Sequence, residues 1–175
     1  YGIVCVHFRT AVIPLRHRMR AGYDVKMSEV HGMSQRGGSV STQVHWGEKV
    51  YSPVIGKGAA DIVLAFEKME AVRYSDYLKP DAYAMPSSTV AAGMCEYPEG
   101  CLEAMQKHFR CFSLNAEKLA LELGNVKCAN IVLFGSMVKA LGMTEIDWES
   151  VISDTVPPKF RELNLNAYRA GFNAV

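Results

Sequence analysis

The sequence predicts a layered α/β domain built on a mixed sheet, because apolar runs of strand length alternate with helical segments along most of the chain. Residues 61–66, "DIVLAF", form a continuous apolar run, as expected of a strand buried on both faces. Residues 39–46, "SVSTQVHW", alternate apolar with polar side chains, as expected of a strand with one face on the core. Residues 128–142 are apolar nearly all round and predict a buried helix.

The first third of the chain predicts mainly strands. Residues 1–8, "YGIVCVHF", form a short apolar run that indicates a buried strand, and residues 23–30, "YDVKMSEV", indicate an extended segment. The strand over 39–46 is expected to form a β-hairpin with residues 49–55, "KVYSPVI", across the short turn "GEK".

The middle of the chain alternates helix and strand. Residues 67–78, "EKMEAVRYSDYL", place apolar side chains near one helical face, and Pro80 is expected to end that helix. Residues 82–88, "AYAMPSS", indicate another strand. A helix over residues 98–109 and a strand over 111–114 are expected to follow.

The last third predicts four helices. Asn115 is a typical N-cap and Gly124 a typical residue just after a helix end, so they bound the first of these helices. The buried segment 128–142 is the second. Thr144 is expected to cap the third helix, and the prolines at 157 and 158 are expected to begin the last. With no internal repeat or linker in 175 residues, we expect one domain over residues 1–175.

Composition limits the classes of partner. The net charge of +1 argues neither for nor against nucleic acid, and the chain carries no RNA-binding signature or zinc-finger spacing, so we expect no nucleic-acid partner. No apolar run is long enough to span a bilayer, and the start does not resemble a signal peptide. The five cysteines form no C-x-x-C pair, which favours reduced thiols in the cytoplasm over a metal site: Cys5, Cys95, Cys101, Cys111 and Cys128.

The segment "SEVHGMSQRGGSV", residues 28–40, concentrates polar chemistry between two predicted strands. Its candidate functional residues are a carboxylate, an imidazole, an amide, a guanidinium and two glycines: Glu29, His31, Gln35, Arg36, Gly37 and Gly38. One interpretation is a well-satisfied turn in which Glu29 and Arg36 form a structural ion pair. The other is a functional site, in which the glycines permit close approaches that a side chain would block and His31 could titrate near neutral pH. Trp46, Tyr51 and Trp148 are expected to be packing or interface residues.

The segment "AGYDVKMSEVHGMSQRGGSV", residues 21–40, closely resembles the β subunits of indolepyruvate ferredoxin oxidoreductases. More broadly, the chain is similar to the γ subunits or γ domains of the 2-oxoacid:ferredoxin oxidoreductases. Residues 50–80 and 156–171 extend the resemblance over roughly residues 21–175. It implies a single γ-type domain with a three-layer Rossmann-like fold, whose mixed sheet includes a β-hairpin.

The resemblance also implies a function. The family oxidises a 2-oxoacid with coenzyme A to an acyl-CoA and carbon dioxide, and passes the electrons to ferredoxin. Thiamine diphosphate with magnesium and [4Fe-4S] clusters supply that chemistry. This chain has no G-D-G motif and no clustered cysteines, so we expect these cofactors in a larger catalytic α subunit and none in this chain. The 28–40 segment is then expected to face that α subunit.

One stretch departs from the family pattern. Family members follow the first strand with a glycine-rich turn of the G-x-G-G-x-G kind, whereas this chain has "VHFRTAV" there, so no binding residue is assigned to positions 6–20. Three alternatives stay open at this point. The substrate could be pyruvate, 2-oxoglutarate or a branched-chain oxoacid. The chain could instead be a Rossmann-like binding module, or a purely structural scaffold.

Overall fold

The computed structural model describes residues 2–5, 22–31, 40–87 and 99–175. Within these ranges six strands form one sheet with the order β2-β3-β1-β4-β5-β6. The strands are β1 (Gly2–Cys5), β2 (Asp24–His31), β3 (Val40–Gly47), β4 (Ala60–Ala65), β5 (Leu78–Pro86) and β6 (Arg110–Cys111). β3 runs antiparallel to both of its neighbours, β1 and β2, whereas β1, β4, β5 and β6 are mutually parallel. The expected mixed sheet is confirmed.

The hairpin is present, but its partner strand differs from the sequence prediction. β3 pairs with β2, from Asp24 opposite Gly47 to His31 opposite Val40, and residues 32–39 connect them. The predicted pairing of β3 with residues 49–55 is wrong, because residues 48–59 form no strand. The physical reason is that β1 and β2 already occupy both edges of β3, so no backbone groups of β3 remain for a third partner.

Six α-helices lie in the described ranges: α1 (Lys68–Arg73), α2 (Cys101–Gln106), α3 (Ala116–Glu122), α4 (Ala129–Ala140), α5 (Trp148–Thr155) and α6 (Arg161–Asn173). The prediction that Pro80 ends a helix is wrong. α1 already ends at Arg73, a 3-10 turn follows, and Pro80 lies inside β5. It occupies an irregular stretch where the β4–β5 register shifts, which is where a strand tolerates a residue without an N–H.

The predicted helix boundaries around α3 are confirmed. Asn115 Oδ1 accepts the Lys118 N–H at 2.9 Å, and Gly124 adopts the left-handed φ of 92° after the last turn. The predicted cap at Thr144 is wrong, because Asp147 caps α5 by accepting the Ser150 N–H at 3.1 Å. The tandem prolines begin a 3-10 turn, Pro158–Phe160, which leads directly into α6.

The sheet separates two apolar cores, which confirms the three-layer arrangement. Along β4, Ile62 and Leu64 belong to a core shared with α3, α4, α5 and α6. Val63 and Ala65 belong to the core on the opposite face, with α1 and α2. This alternation follows from the two-residue period of a strand, and it explains why residues 61–66 are apolar throughout.

Helices α4 and α6 cross at glycines. A Cβ built on Gly171 would lie 2.6 Å from the Val132 carbonyl carbon, and one built on Gly135 would lie 2.9 Å from the Phe172 nitrogen. Both distances are shorter than any ordinary contact, so only glycine lets the two backbones approach this closely. Tyr168 of α6 packs against Phe134 of α4 with ring centroids 6.2 Å apart.

Candidate partner-facing surface

Topology brings several chain segments to one edge of the sheet. β1 and β2 are parallel to each other because both run antiparallel to β3. β1, β2, β4 and β5 therefore all end at the edge where β3 begins. We call this the signature edge and define it by Cys5, His31, Val40 and Ser87. In open α/β sheets the carboxyl ends of parallel strands are where ligands and partners usually bind.

Glu29 lies in β2, two residues before the last residue of the strand, His31. It stands opposite Thr42 of β3, which in turn pairs with Cys5 of β1. The Oε2 atom of Glu29 is shielded from solvent, and Thr42 is fully buried. Within the described ranges no hydrogen-bond partner reaches Thr42 Oγ1. A carboxylate and a hydroxyl thus sit side by side near the signature edge, at the polar end of an otherwise apolar face.

The structure covers part of the predicted functional segment. It places Glu29 and His31 at the end of β2, where His31 pairs with Val40 in the last step of the ladder. The remaining candidates lie outside the described residues: Gln35, Arg36, Gly37 and Gly38. The ion pair between Glu29 and Arg36 therefore stays a prediction. Sequence reasoning missed Thr42, because a threonine in an alternating strand looks like ordinary packing.

Residues 48–59, which we call the β3–β4 loop, are tied to the hairpin by side chains. The Val50 N–H donates to Asp24 Oδ2 at 2.9 Å, and the Ile55 N–H donates to Gln43 Oε1 at 2.6 Å. His45 Nδ1 donates to the Ser52 carbonyl at 3.1 Å. The bond from Val50, helped by the nearby Lys26 ammonium, holds the pKa of Asp24 below its usual value.

These hydrogen bonds bury part of the loop and expose the rest. Val50 and Ile55 are 3% and 4% exposed and anchor the loop on the sheet. Between them, Tyr51 is 89% exposed and Val54 is 62% exposed. The sequence prediction for Tyr51 was packing or interface. The structure excludes packing within the described part of the chain, while Trp46 and Trp148 are buried and pack in the core.

A cavity of about 430 Å³ opens at the opposite edge of the sheet. Trp46 and Ile62 form part of its apolar lining together with Tyr83. Lys79 Nζ lies 2.7 Å from Asp61 Oδ1 at this cavity, so these two charges compensate each other. The cavity is therefore mainly apolar and lies at the edge of the sheet opposite the signature edge.

The described residues do not offer a ligand set for the cofactors of 2-oxoacid oxidation. They contain no group of three or more His, Cys, Asp or Glu side chains that could hold a metal ion. Cys101, Cys111 and Cys128 lie on separate elements. Burial raises the pKa of the Cys111 and Cys128 thiols, which favours the protonated form over the thiolate that ligates iron. No helix in the ranges that the structure describes is long and apolar enough to cross a membrane.

Comparison with known proteins identifies the family. Residues 11–174 match the protein family described as pyruvate ferredoxin/flavodoxin oxidoreductase. The chain belongs to this family. It is 39% identical to indolepyruvate oxidoreductase subunit IorB of Thermococcus kodakarensis over 170 residues, which cover 89% of this chain and 83% of that protein. The family resemblance carried by residues 21–40 is thereby confirmed.

Solved structures of family proteins share the fold. The γ subunit of a keto/oxoacid ferredoxin oxidoreductase from Geobacter sulfurreducens has a TM-score of 0.73 at 23% identity, with 99% of this chain and 97% of that chain covered. A 2-oxoglutarate:ferredoxin oxidoreductase from Magnetococcus marinus, solved with 2-oxoglutarate, coenzyme A and succinyl-CoA bound, has a TM-score of 0.73 at 17% identity. The match covers 99% of this chain but 30% of that longer chain.

Proposed function

We propose that this chain is the subunit without cofactors of an indolepyruvate:ferredoxin oxidoreductase, in which a larger catalytic subunit completes the enzyme. The observation that carries the proposal is the 39% identity to an indolepyruvate oxidoreductase subunit over most of both chains. The complex would oxidise an aryl pyruvate with coenzyme A to an aryl-acyl-CoA and carbon dioxide, and transfer the electrons to ferredoxin in the cytoplasm.

We assign the cofactors to the larger subunit, where thiamine diphosphate with magnesium would stabilise the carbanion and [4Fe-4S] clusters would conduct the electrons. The donor chemistry of the described residues supports this assignment, because the cysteines lie apart and two of them have raised thiol pKa values. This chain alone would then be inactive, and its contribution would be to bind the larger subunit and shape the assembly.

The signature edge is the surface that we assign to the catalytic subunit. Of the candidate residues of segment 28–40, Glu29 and His31 lie on β2 near this edge. Gln35 and Arg36 would extend the polar contact, and Gly37 and Gly38 would permit close backbone approach.

The test is co-purification of this chain with its larger subunit, followed by reduction of a viologen dye. We expect reduction that depends on indolepyruvate, on coenzyme A and on both subunits together. Pyruvate and 2-oxoglutarate, tested side by side, should support much slower reduction. Equal rates from the larger subunit alone, or a faster rate with pyruvate or 2-oxoglutarate, would contradict the proposal.

The contribution of residues 28–40 to assembly is tested in the same assay. Arg36→Ala should weaken assembly and lower turnover, because it removes a donor that we assign to the interface. The matched control is Arg73→Ala, which removes an arginine of α1 that pairs with Glu70 at 3.0 Å. If the Arg36→Ala complex assembled and turned over like the unmodified one, the assignment of Arg36 to the interface would be wrong.

A further inference from the structure

The β3–β4 loop presents an aromatic side chain to solvent from a fixed backbone. Tyr51 is 89% exposed, and Val54, three residues on, is 62% exposed. The residues next to them, Val50 and Ile55, are buried and hydrogen-bonded to the hairpin. A tyrosine held in this way loses little conformational entropy when it is covered, which is the property of a binding anchor.

The exposed apolar side chains continue along one face of the hairpin. Val30 is 56% exposed and pairs with Ser41 in the β2–β3 ladder. Ser41 shares its strand face with Gln43, the side chain that holds the β3–β4 loop. Val30 therefore lies on the same face as the loop, one residue before β2 ends at the signature edge. The exposed apolar side chains of the hairpin and of the loop thus lie on the same side of the sheet, where polar strand residues such as Lys26 and Ser28 separate them.

The charges beside this face are balanced. At the far side of the loop, Lys57 Nζ lies 2.9 Å from Asp76 Oδ2. At the start of β2, Lys26 Nζ lies 3.5 Å from Asp24 Oδ1. An apolar centre surrounded by paired polar groups is the usual composition of a protein–protein contact. Such a face is poorly suited to nucleic acid, which selects for uncompensated positive charge.

We infer that the β3–β4 loop docks on the larger subunit of the same oxidoreductase, with Tyr51 as the anchor that enters an apolar pocket of that subunit. This inference rests on the proposed function. Two observations favour this occupant over a second copy of the chain. Val30, on the side of the hairpin that holds the loop, lies one residue before β2 ends at the signature edge, which we assign to the larger subunit, and the same fold occurs in the Magnetococcus marinus enzyme as 30% of a longer chain.

The experiment measures the affinity between this chain and the separately purified larger subunit from the same organism. Tyr51→Ala should weaken association at least about tenfold, as for truncation of an aromatic hot spot. The free variant should melt at the same temperature as the unmodified chain, because Tyr51 contributes little to the fold at its exposure. The matched control is Leu121→Ala, which truncates a 61% exposed leucine of α3 in the layer on the other side of the sheet, and should leave affinity unchanged.

Each alternative result has a separate meaning. Unchanged affinity of Tyr51→Ala for the larger subunit would overturn the inference, while an active complex would leave the proposed function intact. The inference also fails if Tyr51→Ala only converts a dimer of this chain to a monomer, since the occupant would then be a second copy. If the unmodified chain did not bind the larger subunit at all, both the inference and the proposed function would fail.

Discussion

The α4–α6 helix pair, which belongs to a core on one face of the sheet, and the β2–β3 hairpin of that sheet are stabilised by different means. The helices meet backbone to backbone at Gly135 and Gly171, and the core around them is closed to solvent. The hairpin instead holds its loop through hydrogen bonds between the loop backbone and three side chains: Asp24 and Gln43, which accept, and His45. It leaves Val30, Tyr51 and Val54 exposed.

If the β3–β4 loop binds the larger subunit as we propose, this difference separates the residues that specify the fold from those that specify assembly. Close packing tolerates no change in volume, so the helical side of the sheet specifies the fold. Hydrogen bonds from side chains to a loop specify its conformation without covering its outer surface, so the hairpin side keeps a fixed apolar face. Mutations at the α4–α6 crossing should therefore lower the stability of the fold. Mutations of the exposed side chains on the β3–β4 loop should instead weaken association with the larger subunit.

Gly171→Ala should have the largest effect on the fold. The added methyl would lie inside the backbone of Val132, with the carbonyl carbon only 2.6 Å away, so α4 and α6 must separate. We expect a loss of about 3 kcal/mol or more in the free energy of unfolding, at the upper end for overpacked sites. Urea denaturation measures it.

The matched control for this substitution is Gly56→Ala in the β3–β4 loop. Gly56 has no atom within 4 Å of a built Cβ and no left-handed φ, so the change should cost less than about 1 kcal/mol. If Gly171→Ala and Gly56→Ala destabilised equally, the steric account of the helix crossing would be wrong, and the contrast between the two sides of the sheet would fail with it.

Sequence reasoning succeeded where local pattern decides structure. The apolar run over residues 61–66 predicted a doubly buried strand, because both faces of β4 contact cores. The boundaries at Asn115 and Gly124 were readable because capping and left-handed φ are properties of single residues. The buried helix over residues 128–142 corresponds to α4, where nine of the side chains or backbone positions are buried.

The sequence predictions fail where the structure of a segment depends on contacts with residues far away in the chain. Residues 49–55 have a strand-like pattern, yet β3 takes its partners from β1 and β2, which only the assembled sheet reveals. Pro80 predicts a helix end from its local sequence. The β4–β5 irregularity that accommodates it instead is a property of two strands and cannot be recognised in one segment. For the candidate site, the position of Glu29 at a strand end was predictable. The alternation along residues 39–46 also predicts the burial of Thr42, on the strand face of Val44 and Trp46. The exposure of Tyr51 is not predictable in this way, because it depends on non-local packing.

Gln43→Ala should have an intermediate effect that is confined to the hairpin side. It removes the acceptor of the Ile55 N–H at 2.6 Å and leaves that buried amide without it. We expect a loss of about 1–2 kcal/mol in the free energy of unfolding, with faster hydrogen exchange at Ile55. Exchange at amides of the α4–α6 pair should change only as far as global stability changes.

Its control is Gln106→Ala, which truncates an exposed glutamine at the end of α2. That variant should keep the protection of Ile55 and the stability of the unmodified chain. Undiminished protection of Ile55 in Gln43→Ala would show that the loop is held by other contacts. The conclusion that the hairpin fixes the β3–β4 loop would then be wrong.

The smallest expected effect is a pH dependence on the helical side. Burial, followed by the nearby Glu149 and Asp147 carboxylates, raises the pKa of Tyr168 from 10.0 to about 12. A raised pKa means that the fold favours the neutral phenol. The resulting contribution to stability is complete below pH 10, and it is lost as the pH rises from 10 through 12. Absorbance of tyrosinate followed to high pH should show one phenol that ionises late.

Tyr168→Phe assigns that late phenol and separates ionisation from packing. The variant keeps the ring, whose centroid lies 6.2 Å from that of Phe134 and 5.9 Å from that of Phe172, so its fold at neutral pH should persist. It should lack the late-ionising absorbance and lose less stability between pH 10 and 12 than the unmodified chain. If the late-ionising absorbance persisted in Tyr168→Phe, it would belong to another tyrosine. The Tyr168 phenol would then be more accessible to water than its 8% exposure indicates. The contrast in solvent access between the α4–α6 core and the β3–β4 loop would be smaller.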